Sequence, residues 1–198
     1  MSVILGYQTE NEIVLAADNR LSKSNGSIMS DTSPKIIIVN KYLAIAFSGN
    51  AAVQAMFQNF LDQSTDNENF NVEDILLRFE TLYLSLRMNS EEYAKNILES
   101  SSCFIVAGKN KEKENVLYGI SYVHGKLSHS QTKMILFPPA DVEMQTCSTI
   151  FVKYYHTDFK HCMEKTIREI SNSSNLVSPT GDIWYYDLST ENSQTKHF

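Results

Sequence analysis

Short apolar segments separated by turn residues fill the first quarter of the chain. Residues 3–7 and 13–17 flank a short polar run, and this order is typical of a β-hairpin. Residues 35–39 and 42–47 repeat the pattern around a two-residue connection, whose length favours a tight turn. These runs are almost continuously apolar, as expected of strands covered on both faces. The intervening residues 21–34 are rich in Ser, Asn, Gly and Asp and predict a surface loop.

The spacing of the apolar residues becomes helical after position 50. Between Val53 and Leu61 they recur three and four positions apart, and Asn50 is well placed to cap the helix that this spacing predicts. A polar stretch follows. Residues 72–98 then carry a single apolar stripe, which predicts a second and longer helix.

Strand and helix patterns follow one another again in the second half. Residues 102–107 and 116–123 have the apolar and aromatic composition of strands. Two helices are predicted within residues 149–171, and residues 182–188 predict a last strand. The tail from Ser189 is polar and is expected to be frayed.

The order of these elements favours one class of fold. Strands, two helices, strands, two helices and a strand indicate an α+β fold instead of alternating βαβ units. Two packed sheets between two helical layers would cover every apolar face, so the sequence predicts a four-layer αββα sandwich. Residues 1–190 are expected to form a single domain, and residues 191–198 a polar C-terminal tail.

Composition narrows the classes of function. Of the 198 residues, 42% are hydrophobic, which is enough for a domain with a sizeable core. The net charge is −6 and the Lys and Arg residues are scattered, so no nucleic-acid partner is expected. No window approaches the roughly 20 apolar residues of a membrane span, and no membrane partner is expected either. Three cysteines without a CxxC pair agree with a reducing compartment, so we predict a cytoplasmic protein.

Metal-ligating residue types occur close together at one place in the chain. His156, His161 and Cys162 are near one another but do not have the usual spacing of zinc ligands. We therefore predict no metal site and no cofactor.

The second residue is the candidate for chemistry. Removal of Met1 would leave Ser2 with a free α-amine, whose ordinary pKa is about 7.7–8.0. Near neutral pH an appreciable fraction of this amine is free base and can take the proton of the hydroxyl in the same residue. Such a mechanism also needs a cation that lowers the pKa of the nucleophile, a carboxylate that holds the cation, and backbone donors for the oxyanion.

Residues 2–20 carry a resemblance to a known family. This stretch resembles the opening of mature proteasome β-subunits and of the related bacterial peptidases HslV and Anbu, which are N-terminal-nucleophile (Ntn) hydrolases. These proteins begin with the nucleophile and reach an Ala-Ala-Asp-Ser-Arg-like motif, and the spacing from Ser2 to Asp18 matches theirs without a gap. Lys35 stands where the family has its catalytic lysine. Residues 48–52 are similar to the turn whose first glycine amide helps to form the oxyanion hole, which indicates Gly49.

The resemblance implies a role for each of these residues. Ser2 would be the nucleophile and its amine the general base, while Lys35 would lower the pKa of the nucleophile. Asp18 would pair with Lys35 and orient it, and Arg20 would brace the same group of residues. The N–H of Gly49 would donate to the tetrahedral oxyanion. Without the resemblance, Asp18 and Arg20 would suit an ordinary turn pair, and Lys35 a solvated start of a strand.

Substrate-binding residues are implied in the same way. Ser22 stands where the family uses main-chain groups to hold the substrate as an added strand, a recognition mode that tolerates many sequences. The specificity pocket would be lined by Leu21, Ile37, Phe47 and Ala51. The bulk of Phe47 suggests a small or reshaped pocket.

Two positions depart from the family pattern. A Gly-Ser-Gly-Ser-like turn before the third helix supplies a hydroxyl near the nucleophile in the family, whereas residues 145–148 read Gln-Thr-Cys-Ser. Thr146 and Ser148 keep hydroxyl groups there and are the candidates for this role. Asn175 stands close to where an aspartate supports that hydroxyl.

The predicted function is that of an N-terminal-serine peptidase or amidase. By resemblance it would hydrolyse peptides or unfolded proteins, assemble as a homo-oligomeric ring or related assembly, work with an ATP-dependent unfoldase and come from a bacterium. Two alternatives stay open: a catalytically inactive structural subunit of a proteasome-like assembly, and an Ntn amidohydrolase that acts on a small amide.

Overall fold

Two five-stranded antiparallel sheets face each other in the computed structural model, which describes residues 2–23, 26–155 and 158–198. The strand order of the first sheet is β10-β1-β2-β11-β12, with bounds β1 Ile4–Gln8, β2 Glu12–Asp18, β10 Met134–Phe137, β11 Gly181–Asp187 and β12 Asn192–His197. The order of the second sheet is β5-β6-β7-β8-β9, with bounds β5 Ile36–Asn40, β6 Leu43–Ser48, β7 Ser102–Lys109, β8 Asn115–Val123 and β9 Lys126–Gln131. A small third sheet pairs β3, Leu21–Ser22, with β4, Ile28–Ser30.

Helices fall into two groups along the chain. The first group comprises α1 Ala51–Gln63, α2 Val72–Met88 and α3 Glu92–Glu99, with a 3-10 turn at Asn67–Asn69 between α1 and α2. The second comprises α4 Met144–Tyr154 and α5 Phe159–Ser171. Across the ranges given above, none of the helices combines the length and the apolar character that a membrane-spanning helix requires.

Side-chain alternation along the strands builds the layers. In β6, Ile45 and Phe47 point towards α1 and α2, whereas Ala44 and Ala46 point towards the first sheet. In the first sheet, Leu5 packs with residues of α4 and α5. The sheets thus share a central apolar layer and each carries helices on its outer face. The predicted α+β class and the four-layer αββα sandwich are confirmed.

Gly6 lies where the two sheets come closest. A Cβ atom at this position would be 2.9 Å from Ile105 Cγ2 and 3.0 Å from Leu117 Cδ1. Real Cβ atoms rarely come so close to a neighbour, so the absence of a side chain lets β1 lie directly against β7 and β8.

The predicted long helix over residues 72–98 is wrong, because the segment forms two helices. The helix α2 ends at Met88, and Asn89 has an extended backbone with φ −87° and ψ 124°. The side chain of Asn89 accepts a hydrogen bond from the N–H of Glu91 at 2.9 Å. This local bond competes with helical hydrogen bonding and allows the chain to turn before α3.

Other differences concern polar segments. Residues 21–34 contain β3 and β4 instead of forming only a loop, and the helix α4 begins at Met144 and not within residues 149–171. The tail is not frayed, since β12 pairs with β11 from Asp187↔Asn192 to Asp182↔His197. Apart from β12, the strands β9 and β10 were also not predicted. Strands such as β9 and β12 are mostly exposed and polar, so they carry little of the apolar alternation from which strands are recognised.

Candidate active site

Asp18 is the fully buried centre of the site, at the end of β2. Its Oδ1 accepts a hydrogen bond from the N–H of Val3 at 3.0 Å. Its Oδ2 accepts from the N–H of Arg20 at 2.9 Å and from the N–H of Ser178 at 3.3 Å. The same Oδ2 atom lies 3.9 Å from Nζ of Lys35. Backbone groups from three parts of the chain therefore fix this carboxylate beside a lysine.

Strand pairing brings these groups together. The register of β1 and β2 pairs Ile4 with Ala17, which places the N–H of residue 3 next to Asp18. The register of β2 and β11 pairs Asp18 with Gly181, which brings in the segment before β11. The carbonyl of Lys35 accepts from the N–H of Phe47 at 2.8 Å, which joins the start of β5 to the end of β6.

Burial opposes the charge on both partners of the Asp18–Lys35 pair. Burial raises the pKa of Asp18, while the Lys35 ammonium and the three backbone N–H donors act in the opposite direction. Burial also lowers the pKa of Lys35, and Arg20 adds to this, whereas Asp18 and Asp31 oppose it. Nζ of Lys35 also donates a hydrogen bond to the carbonyl oxygen of Arg20. Each ion is thus supported mainly by its partner and by hydrogen bonds, and not by water.

Ser2 adjoins this pair through the chain itself. The residue is 4% exposed and precedes Val3, whose N–H is bound to Asp18. Its nitrogen donates to Oγ of Ser48 at 3.1 Å, and Ser48 Oγ donates to the carbonyl oxygen of Ser2 at 2.7 Å. The backbone of the predicted nucleophile is therefore anchored to both sheets.

Gly49 connects β6 to α1 with a backbone that favours glycine. Its φ is +117°, and a Cβ atom here would lie 2.5 Å from the carbonyl oxygen of Ser101. The next residue, Asn50, caps α1 by accepting from the N–H of Ala52 at 2.9 Å, as its position in the sequence predicts.

Arg20 links two loops near Asp18. Its Nε and Nη2 donate to the two carboxylate oxygens of Asp31, at 2.6 Å and 3.2 Å, and its Nη1 donates to the carbonyl oxygen of Asn175 at 3.1 Å. The hydrogen bonds from Arg20 hold the pKa of Asp31 below its usual value. The segment after β4 and the segment after α5 are therefore tied to one guanidinium group.

The predicted substrate-binding residues fall into two environments. Leu21 and Ser22 are half-buried in β3, and Ala51 is exposed at the start of α1. Ile37 and Phe47 are buried in the apolar layer between the second sheet and its helices. Phe47 is 3% exposed and packs against the aromatic rings of Phe57, Phe79 and Phe104.

A family model described as Proteasome subunit matches residues 2–130, which is more than half of the chain. The chain belongs to the proteasome subunit family. A search of the curated proteins found no match. The predicted resemblance to a proteasome-like Ntn hydrolase is thereby confirmed in general terms. The matched range includes Ser2, Asp18, Lys35 and Gly49, and it ends before the segments in which the chain departs from the family pattern.

The departures of this proteasome-family chain are visible in the structure. Thr146 is exposed and Ser148 is half-buried, and both lie within α4 and not in a turn before it. Within residues 2–23, 26–155 and 158–198, neither hydroxyl forms a hydrogen bond with Ser2. Asn175 is exposed, and its N–H donates to Oδ2 of Asp141 at 2.9 Å.

Ser48, Ser178 and Asp141 are site residues that sequence reasoning missed. The sequence indicates Ser48 only as the first residue of the turn before α1, without a role of its own. Ser178 is 1% exposed, and its contact with Asp18 spans 160 positions of sequence, so no local pattern could indicate it. Asp141 holds the segment after α5 by accepting from Oγ of Ser174 at 2.7 Å and from the N–H of Asn175.

Other potential sites in the proteasome-family chain lie apart from Ser2. Two surface clefts are formed by other segments, one by α2 and β9 around Tyr83 and His129, the other by α4 and α5 around Tyr154 and Arg168. In the described part of the chain, no three residues of the His, Cys, Asp and Glu types are grouped to hold a metal ion. His156, one of the residues considered for zinc, lies outside the described residues.

Proposed function

We propose that the chain is an N-terminal-serine hydrolase of the proteasome type that cleaves peptide or amide bonds once Met1 has been removed. The observation that carries this proposal is the buried pair of Asp18 and Lys35, 3.9 Å apart. Asp18 accepts a hydrogen bond from the N–H of Val3, the residue that follows Ser2. A buried ion pair at the end of a strand is costly for stability, and its place beside a potential N-terminal nucleophile gives it a chemical use.

The proposed reaction uses the two groups of Ser2 together. Its amine accepts the hydroxyl proton while Oγ attacks the carbonyl carbon of the substrate, and the N–H of Gly49 donates to the oxyanion that forms. Collapse of this intermediate breaks the C–N bond, and the ammonium group returns the proton to the leaving amine. Water then hydrolyses the serine ester, which restores the free hydroxyl. Lys35, oriented by Asp18, lowers the pKa of the hydroxyl by its positive charge.

We propose an extended peptide as the substrate. Ser22 lies in the short strand β3, and its main chain would pair with the added strand. Leu21 and Ala51 are the accessible members of the proposed pocket, while Ile37 and Phe47 would form its base from the apolar layer beneath.

Mass spectrometry and a single substitution test the proposal. Met1 should be absent from the purified protein, and an epoxyketone should label Ser2. Ser2→Ala should abolish both labelling and the hydrolysis of fluorogenic peptides, whereas Ser121→Ala, which removes only an exposed contact with Ser128, should keep both. Retained Met1, or equal activity of Ser2→Ala, would contradict the proposal. Comparison of peptides with small amides would identify the class of substrate.

A catalytically inactive structural subunit is the second candidate. It is favoured by one observation, namely that the hydroxyl groups of Thr146 and Ser148 form no bond with Ser2 in the described part of the chain. Failure of epoxyketone labelling in a stable assembly that has lost Met1 would support this candidate.

We further propose a homo-oligomer, as a ring or a related assembly, and a single domain, which extends past residue 190 because β12 belongs to the first sheet. The apolar layer shared by the two sheets supports the single domain. Light scattering on the purified chain would measure the assembly. A closer relationship to HslV and Anbu, an ATP-dependent unfoldase partner, a cytoplasmic location and a bacterial source stay predictions from the sequence.

A further inference from the structure

The hydroxyl of Ser48 binds both backbone polar groups of Ser2. It accepts from the Ser2 nitrogen at 3.1 Å and donates to the Ser2 carbonyl oxygen at 2.7 Å, across 46 positions of sequence. Both residues are 4% exposed, so water does not readily replace these bonds. A single side chain thus fixes the nitrogen and the carbonyl group of the predicted nucleophile.

The position of Ser48 is itself strongly restrained. Ser48 is the last residue of β6 and is paired with Cys103 of β7. The residue before it, Phe47, is bound through its N–H to the carbonyl of Lys35. The residue after it is Gly49, whose φ is +117° and where a Cβ atom would collide with the backbone of Ser101 and Ser102, so only glycine fits there without strain. The hydroxyl therefore sits on a rigid part of the fold.

The donor and acceptor roles determine what Ser48 can do for a free amine. A serine hydroxyl has one proton, and here that proton points to the carbonyl oxygen of Ser2. While the hydroxyl keeps this bond, Ser48 can only accept from the nitrogen of Ser2, which is a peptide N–H in the chain that carries Met1 and becomes the amine once Met1 is removed. It would hold one N–H of the amine and direct the nitrogen lone pair away from itself. Because an acceptor stabilises the ammonium form more than the neutral form, Ser48 would also raise the basicity of the amine.

This role differs from the one that the family resemblance indicates. There the hydroxyl near the nucleophile comes from the region of Thr146 and Ser148, but neither of these bonds to Ser2 within the ranges that the structure describes. Ser48 comes from the opposite sheet and already contacts the nitrogen.

We propose that Ser48 is a positioning residue that orients the N-terminal amine of Ser2 and supports its basicity. This inference rests on the proposed function, since it concerns the same amine. It assigns to Ser48, at the end of β6, a hydroxyl next to the nucleophile, where the family resemblance indicates Thr146 or Ser148.

Three variants test the inference in protein from which Met1 is absent by mass. Ser48→Ala should lower kcat/KM for a fluorogenic peptide about tenfold, mainly through kcat, because one buried hydrogen bond orients the amine. The acid limb of its pH profile of kcat/KM should move to lower pH, because loss of the acceptor lowers the pKa of the amine. Ser48→Thr keeps the hydroxyl and should restore most of the activity and the position of the limb. Ser121→Ala is the control for loss of a serine hydroxyl far from Ser2.

A second measurement separates this inference from the proposed function. The pKa of the Ser2 amine can be measured from the pH dependence of its reaction with an amine reagent, followed by mass spectrometry of the N-terminal peptide. A lower amine pKa in Ser48→Ala than in the parent and in Ser48→Thr would support the role of Ser48 even if no peptide were hydrolysed, and the proposed function alone would then fail. An unchanged amine pKa together with an unchanged acid limb would overturn the role of Ser48. If Ser48→Ala does not fold, the same two readouts in Ser48→Thr and Ser48→Cys decide the question, because the weaker acceptor in Ser48→Cys should give the lower amine pKa.

Discussion

Nζ of Lys35 lies 3.9 Å from Oδ2 of Asp18, and the two side chains are 8% and 0% exposed. Transfer of two such charges from water to the interior costs several kcal/mol per ion, roughly, before their attraction is counted. Backbone N–H groups from Val3, Arg20 and Ser178 offset part of this cost for Asp18. The pair is therefore held by a precise arrangement of the surrounding chain, and both stability and chemistry should be sensitive to it.

Loss of the negative charge of Asp18 should destabilise the fold and abolish activity. Asp18→Asn keeps the shape of the side chain but leaves Lys35 buried without its counter-ion, which we expect to lower the free energy of unfolding by about 3–5 kcal/mol. Urea denaturation measures the change. Asp31→Asn is the matched control, because Asp31 is 45% exposed and its loss leaves no buried charge unpaired. Equal unfolding free energies for Asp18→Asn and the parent would contradict a charged pair.

The lowered pKa of Lys35 should set the alkaline limit of activity. Since burial lowers this pKa, the cation loses its proton at a lower pH than an ordinary lysine, whose pKa is about 10.4. In the proposed mechanism Lys35 then no longer supplies the positive charge that lowers the pKa of the Ser2 hydroxyl, so kcat/KM should fall. The free energy of unfolding changes with pH in the opposite direction to activity. Because Lys35 binds its proton more tightly in the unfolded chain, the folded state gains stability as pH rises from the folded pKa towards the unfolded pKa.

Lys35→Arg provides the check on this assignment. A guanidinium group stays charged throughout this range, so the alkaline limb should move upward or disappear even if the larger side chain lowers the overall rate. A pH profile of kcat/KM for both proteins gives the measurement. If kcat/KM falls at the same alkaline pH in the parent and in Lys35→Arg, a group other than Lys35 sets the alkaline limit.

Much of this site could be predicted because its first half is local. The hairpin of β1 and β2 was recognisable from two apolar runs, and its register brings the neighbour of Ser2 to Asp18. The position of Lys35 came from the family resemblance, and the strand that follows it was apolar enough to be recognised. The central layers of the sandwich were predictable for the same reason, since buried strands and amphipathic helices carry strong apolar patterns.

The second half of the site depends on contacts between distant residues that leave no pattern in the sequence. Ser178 reaches Asp18 only because β11 pairs with β2, and Ser48 is a single hydroxyl at the end of an apolar strand. The contribution of Asp141 depends on the path of the segment after α5. The sequence therefore indicates no role for Ser178 or Asp141, although the fold uses them as hydrogen-bond partners of Asp18 and Asn175.

The ion pair of Arg20 and Asp31 should affect substrate binding more than stability. Asp31→Asn removes a carboxylate that is 45% exposed, and Arg20 keeps its hydrogen bond to the carbonyl oxygen of Asn175, so the free energy of unfolding should change by less than about 1 kcal/mol. The segment after β4 would lose its tie to Arg20, and KM should rise while kcat changes little. Steady-state kinetics at pH 7 would show this, with Lys109→Gln, which removes the remote exposed pair with Glu191, as the control.

The pH dependence of the same pair has a defined sign. Because the folded pKa of Asp31 lies below its unfolded value of 3.8, its stabilisation is present above that value and is lost as pH falls through the folded pKa. A difference between the parent and Asp31→Asn that persists in full below the folded pKa would contradict a charged contact.

Comparison of the free energies of unfolding of Gly49→Ala and Gly125→Ala should separate the cost of backbone strain from that of steric collision. A side chain at 49 meets an unfavourable φ of +117° and a carbonyl oxygen of Ser101 2.5 Å from the new Cβ, whereas Gly125 has φ +75° and no atom within 4 Å. The strain alone costs about 1–3 kcal/mol. Gly49→Ala should therefore destabilise the protein more than Gly125→Ala does, and it should also displace Ser48 and reduce activity. Urea denaturation of both variants gives the comparison, and an equal loss of stability would mean that the chain at 49 can relax away from Ser101.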